Sequence, residues 1–159
     1  MRWPACVLVL LLFQSAHAET LLGTVVAVID GDTLTVADAA KRQHRVRLAG
    51  IDAPQAKQPF WLQSARSLAR LCYRKPAKVE WKAKERGLLV GEVTCDGVAA
   101  NAEQVRRGMA WVSPRQTGPG SALYEIEAYA RLQKVGLWAD EKPIPPWEWR
   151  NTGGGGKAK

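Results

Sequence analysis

Asp30-Gly31-Asp32-Thr33, followed downstream by Arg47-Leu48-Ala49-Gly50-Ile51-Asp52-Ala53-Pro54-Gln55, is the stretch from which the fold is read first. Asp-Gly is a strong hairpin signal, because glycine supplies positive φ and aspartate tolerates it. The flanks Thr24-Val25-Val26-Ala27-Val28-Ile29 and Leu34-Thr35-Val36 are β-branched and apolar, as strands require. Neighbouring hairpin strands would bring Asp32, Asp52 and Arg47 together. Hard cations take carboxylate and carbonyl oxygens, and arginine takes phosphate. The set therefore reads as a divalent cation beside an arginine clamp, which suits a phosphodiester. A plain hairpin turn with surface charges is the competing reading.

A chain of 159 residues makes one domain with a modest core. Residues 1–18 read as a secretory signal peptide: Arg2 gives a positive start, Val7 to Phe13 a short apolar run, and Ala16-His17-Ala18 a cleavage site. A retained single anchor is the alternative, although the run is too short to span a bilayer. The expected location is secreted or periplasmic, with no membrane span after cleavage. Cys6 leaves with the signal, so Cys72 and Cys95 remain, an even pair that reads as one disulfide or as two buried thiols. Loss of Arg2 lowers the formal charge from +8 to +7, still a surplus that favours polyanionic partners such as nucleic acid, anionic lipid or cell-wall polymers.

Strands are expected at about 21–29, 34–36, 44–48, 77–82 and 88–95. In the third, Val46 and Leu48 face one way while Arg45 and Arg47 face the other. From about Pro59 to Cys72 the period turns helical, with Trp61, Ala65, Leu68 and Cys72 as a core stripe. Arg66, Arg70 and Arg74 form a row that reads as a solvated face. Asn101 through Arg107 reads as a helix with Asn101 as N-cap and Gly108 as its stop. A last helix is expected from about Ser121 to Val135. Pro143 to Arg150 reads as extended, with its tryptophans packed back on the domain. The domain is thus residues 19–150, and residues 151–159, rich in glycine and lysine, are expected to be a disordered tail. Five strands with a helix between the third and fourth is the order of a five-stranded OB barrel, here an α+β fold with three helices.

Over nearly all of residues 19–150 the chain resembles the thermonuclease family, the staphylococcal-nuclease-like OB-fold proteins. The likeness rests on the two stretches quoted first and on Asn101-Ala102-Glu103-Gln104-Val105-Arg106-Arg107-Gly108-Met109-Ala110-Trp111-Val112. Gly136-Leu137-Trp138-Ala139 and Pro145-Pro146-Trp147-Glu148-Trp149 resemble the ending of its exported bacterial branch. Members are typically calcium-dependent phosphodiesterases acting on DNA and RNA. The resemblance implies Asp32 and Asp52 as calcium carboxylates, the Ala53 backbone carbonyl as a further ligand, and Arg47 as the residue that grips the scissile phosphate. It also implies a sequence-nonspecific nucleic-acid partner, weak Ca2+ binding and a monomeric domain.

Two positions depart from the family pattern. Gln55 stands where a glutamate orients or deprotonates the attacking water, and an amide cannot accept that proton. Leu88 stands where a second arginine stabilises the transition state. Arg86, on the same turn, is the alternative donor. Ser113-Pro114-Arg115-Gln116 replaces a region that in many members supplies tyrosines. Three readings stay open: a nucleic-acid- or phosphate-binding protein on a nuclease scaffold with impaired hydrolysis, an active calcium nuclease, and an envelope structural protein that keeps only the barrel. Asp32, Asp52 and Arg47 speak for the first two, and Gln55 and Leu88 speak against the second.

Overall fold

Strand β1 (Glu19–Val28) turns back into β2 (Thr33–Ala37), and β2 pairs antiparallel with β3 (Gln43–Leu48). The computed structural model describes residues 19–153; the signal peptide read at 1–18 and tail residues 154–159 lie outside the described residues. After the short β4 (Ile51–Asp52) and helix α1 (Trp61–Cys72), β5 (Pro76–Glu85) pairs with the free edge of β1 and with β6 (Leu88–Cys95). Strand β6 then runs parallel to β3, with Val46 opposite Leu89 and Leu48 opposite Gly91. The ring β3-β2-β1-β5-β6 is thereby closed into the expected five-stranded barrel. Val25, Leu34, Val36, Val46, Leu48, Val79 and Val93 fill it from the inward positions of alternating strands.

Not every turn works as the Asp-Gly rule suggests. Asp96-Gly97 does: both residues have positive φ, 49° and 79°, and they join β6 to β7 (Val98–Ala99). Arg86-Gly87, at 48° and 84°, joins β5 to β6 in the same way. Gly31 has no positive φ, so the reading of Asp30-Gly31 as such a turn is corrected. What Gly31 supplies is space, since a Cβ there would collide with Ser64 of α1.

Helix α1 buries Ser64, Ser67, Leu68, Leu71 and Cys72, so its inner face is rotated from the expected stripe and Trp61 and Ala65 are half-buried. Arg66, Arg70 and Arg74 are exposed, as a solvated face should be. Helix α2 (Ala100–Arg106) places Asn101 inside rather than at the cap. Its amide donates to Ala49 O (2.8 Å) and Gly91 O (3.3 Å), and its Oδ1 accepts the Val93 N–H (2.9 Å). Gln104 donates to Gly31 O (2.7 Å) and Ser64 O (3.2 Å), tying α2 to the loop before β2. Strand β8 (Trp111–Val112) pairs with β4, and α3 (Leu123–Leu132) is shorter at both ends than its expected range. A 3-10 turn, Gly136–Ala139, follows.

The C-terminal segment is not extended. Pro146 opens a fourth short helix, α4 (Pro146–Asn151), with proline in its first turn where no N–H is needed. Two contacts dock it: Gln58 Nε2 donates to Ile144 O (2.6 Å), and Trp147 packs on the cluster of Trp111, Ala130, Leu137 and Trp138.

Cys72 at the end of α1 and Cys95 at the end of β6 form a disulfide, with Cα atoms 5.2 Å apart and a sequence separation of 23. Closing a loop of that size stabilises by about 3 kcal/mol in the chain-entropy model. Replacing both cysteines by alanine should therefore lower the unfolding free energy in urea by roughly that amount. Thiol titration of the denatured, unreduced chain without residues 1–18 should find no free thiol.

Candidate functional site

The site is assembled at one rim of the barrel by strand register. Arg47 on β3 lies opposite Thr33 on β2, which sets its outward-facing side chain beside Asp32. The Leu48 N–H donates to Asp32 O (2.8 Å), fixing that backbone against β3. Asp52 in β4 pairs with Trp111 of β8, so the second carboxylate is held by a separate two-stranded sheet. Asp32 and Asp52 are both buried, and Arg47 Nη2 stands 4.0 Å from Asp32 Oδ2 and 3.5 Å from Asp52 Oδ1. Three residues expected to converge do converge.

The first carboxylate is pinned by its surroundings. Asp32 Oδ2 accepts the Ala53 N–H (2.8 Å) and Oδ1 accepts the Thr33 hydroxyl (2.9 Å). Burial, helped by the neighbouring Asp30 charge, pushes the Asp32 carboxyl up from the ordinary 3.8 to about 7, against the pull of the Ala53 N–H and Arg47. Gln55, half-buried in the loop after β4, lies beside Asp52. Its Nε2 donates to Ala53 O (3.0 Å) and lies 3.5 Å from Asp52 Oδ1, so one amide spans both oxygens. Asp32, Asp52 and the Ala53 carbonyl are oxygen donors of the hard kind that divalent cations take. Among the described residues no group of three or more histidines, cysteines or carboxylates is arranged to hold a metal.

Leu88 and Arg86 fall elsewhere. Leu88 is half-buried at the start of β6, opposite Glu85, and Arg86 is exposed on the two-residue tip of that hairpin. Neither lines the cleft beside Asp52. That cleft, of about 430 Å3, is lined by Arg47, Asp52, Arg115, Trp147 and Arg150 among others. Its loop, Ser113 to Gly120, is anchored on Gly50, whose N–H donates to Gln116 Oε1 (3.2 Å) and whose carbonyl accepts from Thr117 Oγ1 (2.9 Å).

Arg150 is the residue that sequence reasoning missed. From α4 its Nη2 donates to Asp52 Oδ2 (2.7 Å) and its Nη1 to Asp52 Oδ1 (3.3 Å). This hydrogen bonding holds the guanidinium still more firmly protonated. The available signal was Pro145-Pro146, a helix start with proline at the first position, which puts Trp147 and Arg150 three residues apart on neighbouring positions of one face.

Fold and site together place the chain among OB barrels that carry a carboxylate pair and guanidinium groups on the rim. Comparison with known proteins narrows the class. A family model described as staphylococcal nuclease homologue matches residues 45–140. A protein of Escherichia coli O157:H7 named "uncharacterized endonuclease" is 40% identical over 131 residues, covering 81% of this chain and 84% of that protein. A micrococcal nuclease of Shigella flexneri is 35% identical over 163 aligned positions, covering 96% of this chain and 92% of its own length. "Protein ParB" of Escherichia coli is 36% identical over 163 positions, covering 94% and 90%. The chain belongs to the staphylococcal nuclease family.

The raised carboxyl of Asp32 makes a signed prediction. Between pH 4 and 7 the native state keeps a proton that the unfolded chain has released, so this group costs stability as pH rises through that window. Asp32→Asn keeps the shape and an acceptor oxygen without the buried charge. Urea denaturation should show the variant more stable than the parent at pH 8, by on the order of 1 kcal/mol or more, with the difference closing toward pH 4.

Proposed function

We propose that this chain is an exported protein of the family that binds nucleic-acid phosphodiesters without sequence preference, with calcium, and hydrolyses them slowly. The observation that carries the reading is Gln55. At the position of the family's water-activating glutamate, its amide lies across Ala53 O (3.0 Å) and Asp52 Oδ1 (3.5 Å) and offers no proton acceptor that can ionise. Calcium would be held by Asp32, Asp52 and the Ala53 carbonyl, and when bound it supplies positive charge beside the phosphoryl oxygens. Arg47 grips the phosphate from the β3 side, its guanidinium steadied by Asp52. Gln55 can orient a water by hydrogen bonding, but the proton of that water has to leave by another route. A general base is worth typically 10²–10⁴ in rate, so its loss slows hydrolysis without abolishing binding. Export is supported by Arg2, the run Val7 to Phe13 and Ala16-His17-Ala18. Among the described residues no helix is long and apolar enough to cross a membrane.

A fully active calcium nuclease is the second reading, favoured by the names of the Escherichia coli and Shigella relatives. One digestion series separates the two. Plasmid DNA and RNA are incubated with calcium or chelator and with the parent, Gln55→Glu, Leu88→Arg or the double variant. Gln55→Glu should cleave at least about 100-fold faster than the parent, only with calcium, and Leu88→Arg should add less. A parent as fast as Gln55→Glu would establish the second reading. Calcium should also raise the melting temperature of the parent and not that of Asp32→Asn; equal shifts in both would put the cation elsewhere.

A further inference from the structure

The cleft beside Asp52 holds more positive charge than the acidic pair requires. Arg47, Arg115 and Arg150 line it against one carboxylate, Asp52. Three guanidiniums against one carboxylate leave the lining net positive, which favours an anion. Two of the three guanidiniums meet at one atom: Asp52 Oδ1 lies 3.5 Å from Arg47 Nη2 and 3.3 Å from Arg150 Nη1. The two arginines come from different elements, one from β3 and the other from α4.

Arg150 is not used up by its carboxylate. A guanidinium has five N–H groups, and the bidentate pair with Asp52 takes one from each terminal nitrogen. Three remain, on a side chain that is 44% exposed. The carboxylate sets the plane of the fork, and Trp147, three residues earlier on α4 and packed on the Trp111–Trp138 cluster, holds the helix against the cleft wall. A planar fork fixed on one side and open on the other is preorganised for a tetrahedral oxyanion.

We propose that Arg150 is a substrate-binding residue, the second phosphate-gripping guanidinium of the site, delivered from the C-terminal helix and acting with Arg47 in place of the arginine missing at Leu88. This rests on the reading that nucleic acid is the ligand. One backbone phosphate sits between the two forks, and Asp52 keeps the forks apart from one another and aimed. The grip is a binding function; it supplies no proton acceptor, so it leaves the deficit at Gln55 untouched.

The test uses the full chain and a fluorescently labelled single-stranded DNA oligonucleotide in chelator, with affinity measured by anisotropy over a salt series. Arg150→Gln and Arg47→Gln should each weaken binding about tenfold at low salt. Each should also make the slope of log affinity against log salt shallower by about 0.7, the expectation for one phosphate contact on a single strand. Arg150→Lys should keep the slope and lose part of the affinity, because the charge stays and the fork goes. In an Asp52→Asn background Arg150→Gln should still weaken binding. No effect there would mean that Arg150 merely neutralises Asp52, and the proposal fails. A loss of affinity with an unchanged slope would mark a structural role through α4, with the same consequence. If Arg47→Gln weakens binding and Arg150→Gln does not, the nucleic-acid reading stands and the assignment of Arg150 falls. A parent that binds no oligonucleotide removes both.

Discussion

The barrel closes where β3 and β6 run side by side in parallel, over the short register Val46–Leu89, Arg47–Val90 and Leu48–Gly91. Parallel pairing is the weaker kind per residue, and three pairs alone are a thin seam. Asn101 reinforces it from α2: one side chain bonds Ala49 at the end of β3 and both Gly91 and Val93 in β6. The seam also receives the Ala49 N–H, which donates to Gly91 O at 2.8 Å. Everything at the rim depends on this closure. Arg47 lies within the seam, and the turn that follows carries the chain directly to Asp52.

A second constraint follows from burying two carboxylates at that rim. Isolated anions in such a place would cost several kcal/mol each, so each needs donors. The backbone and a threonine serve Asp32. Asp52 is served by side chains alone: Arg150 on both oxygens, with Arg47 and Gln55 at 3.5 Å from one of them. Asp52 is therefore the joint at which β3, the loop after β4 and the C-terminal helix are drawn together. Removal of a single donor leaves its negative charge partly uncompensated, which couples the C-terminal helix to the site electrostatically as well as by packing.

Much of this was legible because short-range rules are strong where the chain is strand or tight turn. Alternation in Val46-Arg47-Leu48 placed Arg47 outward, and the order of elements gave the barrel. The two stretches around Asp32 and Asp52 delivered both carboxylates. Where the reading missed, a long-range contact had overridden a local preference. Gly31 is selected by Ser64 in α1, not by its own φ. Asn101 has the composition of a cap, yet it sits inside α2 because the barrel seam offers it three backbone partners. The segment from Pro143 looked extended because prolines dominate it locally, whereas Pro146 occupies the one helical position that tolerates it. No sequence spacing pairs Asp52 with Arg150, which lie 98 residues apart.

On the proposed reading, Arg150 of the C-terminal helix does what Leu88 cannot, because a guanidinium acts by position and orientation, not by the element that carries it. Leu88 begins β6, and the hairpin ahead of it points its only nearby arginine, Arg86, into solvent on a two-residue tip. That turn has φ values that fit a tight hairpin, and neither Leu88 nor Arg86 lines the cleft beside Asp52. The C-terminal helix does line the cleft. Gln58 and the tryptophan cluster already hold the C-terminal segment to the domain, so an arginine at its last turn needed only a carboxylate to aim it. A proton acceptor is not replaceable on the same terms. It must reach the water it activates and carry a group that takes up a proton, and an amide such as that of Gln55 cannot take one. On the proposed reading, phosphate is gripped from a different element, while the missing proton acceptor at Gln55 still sets the rate.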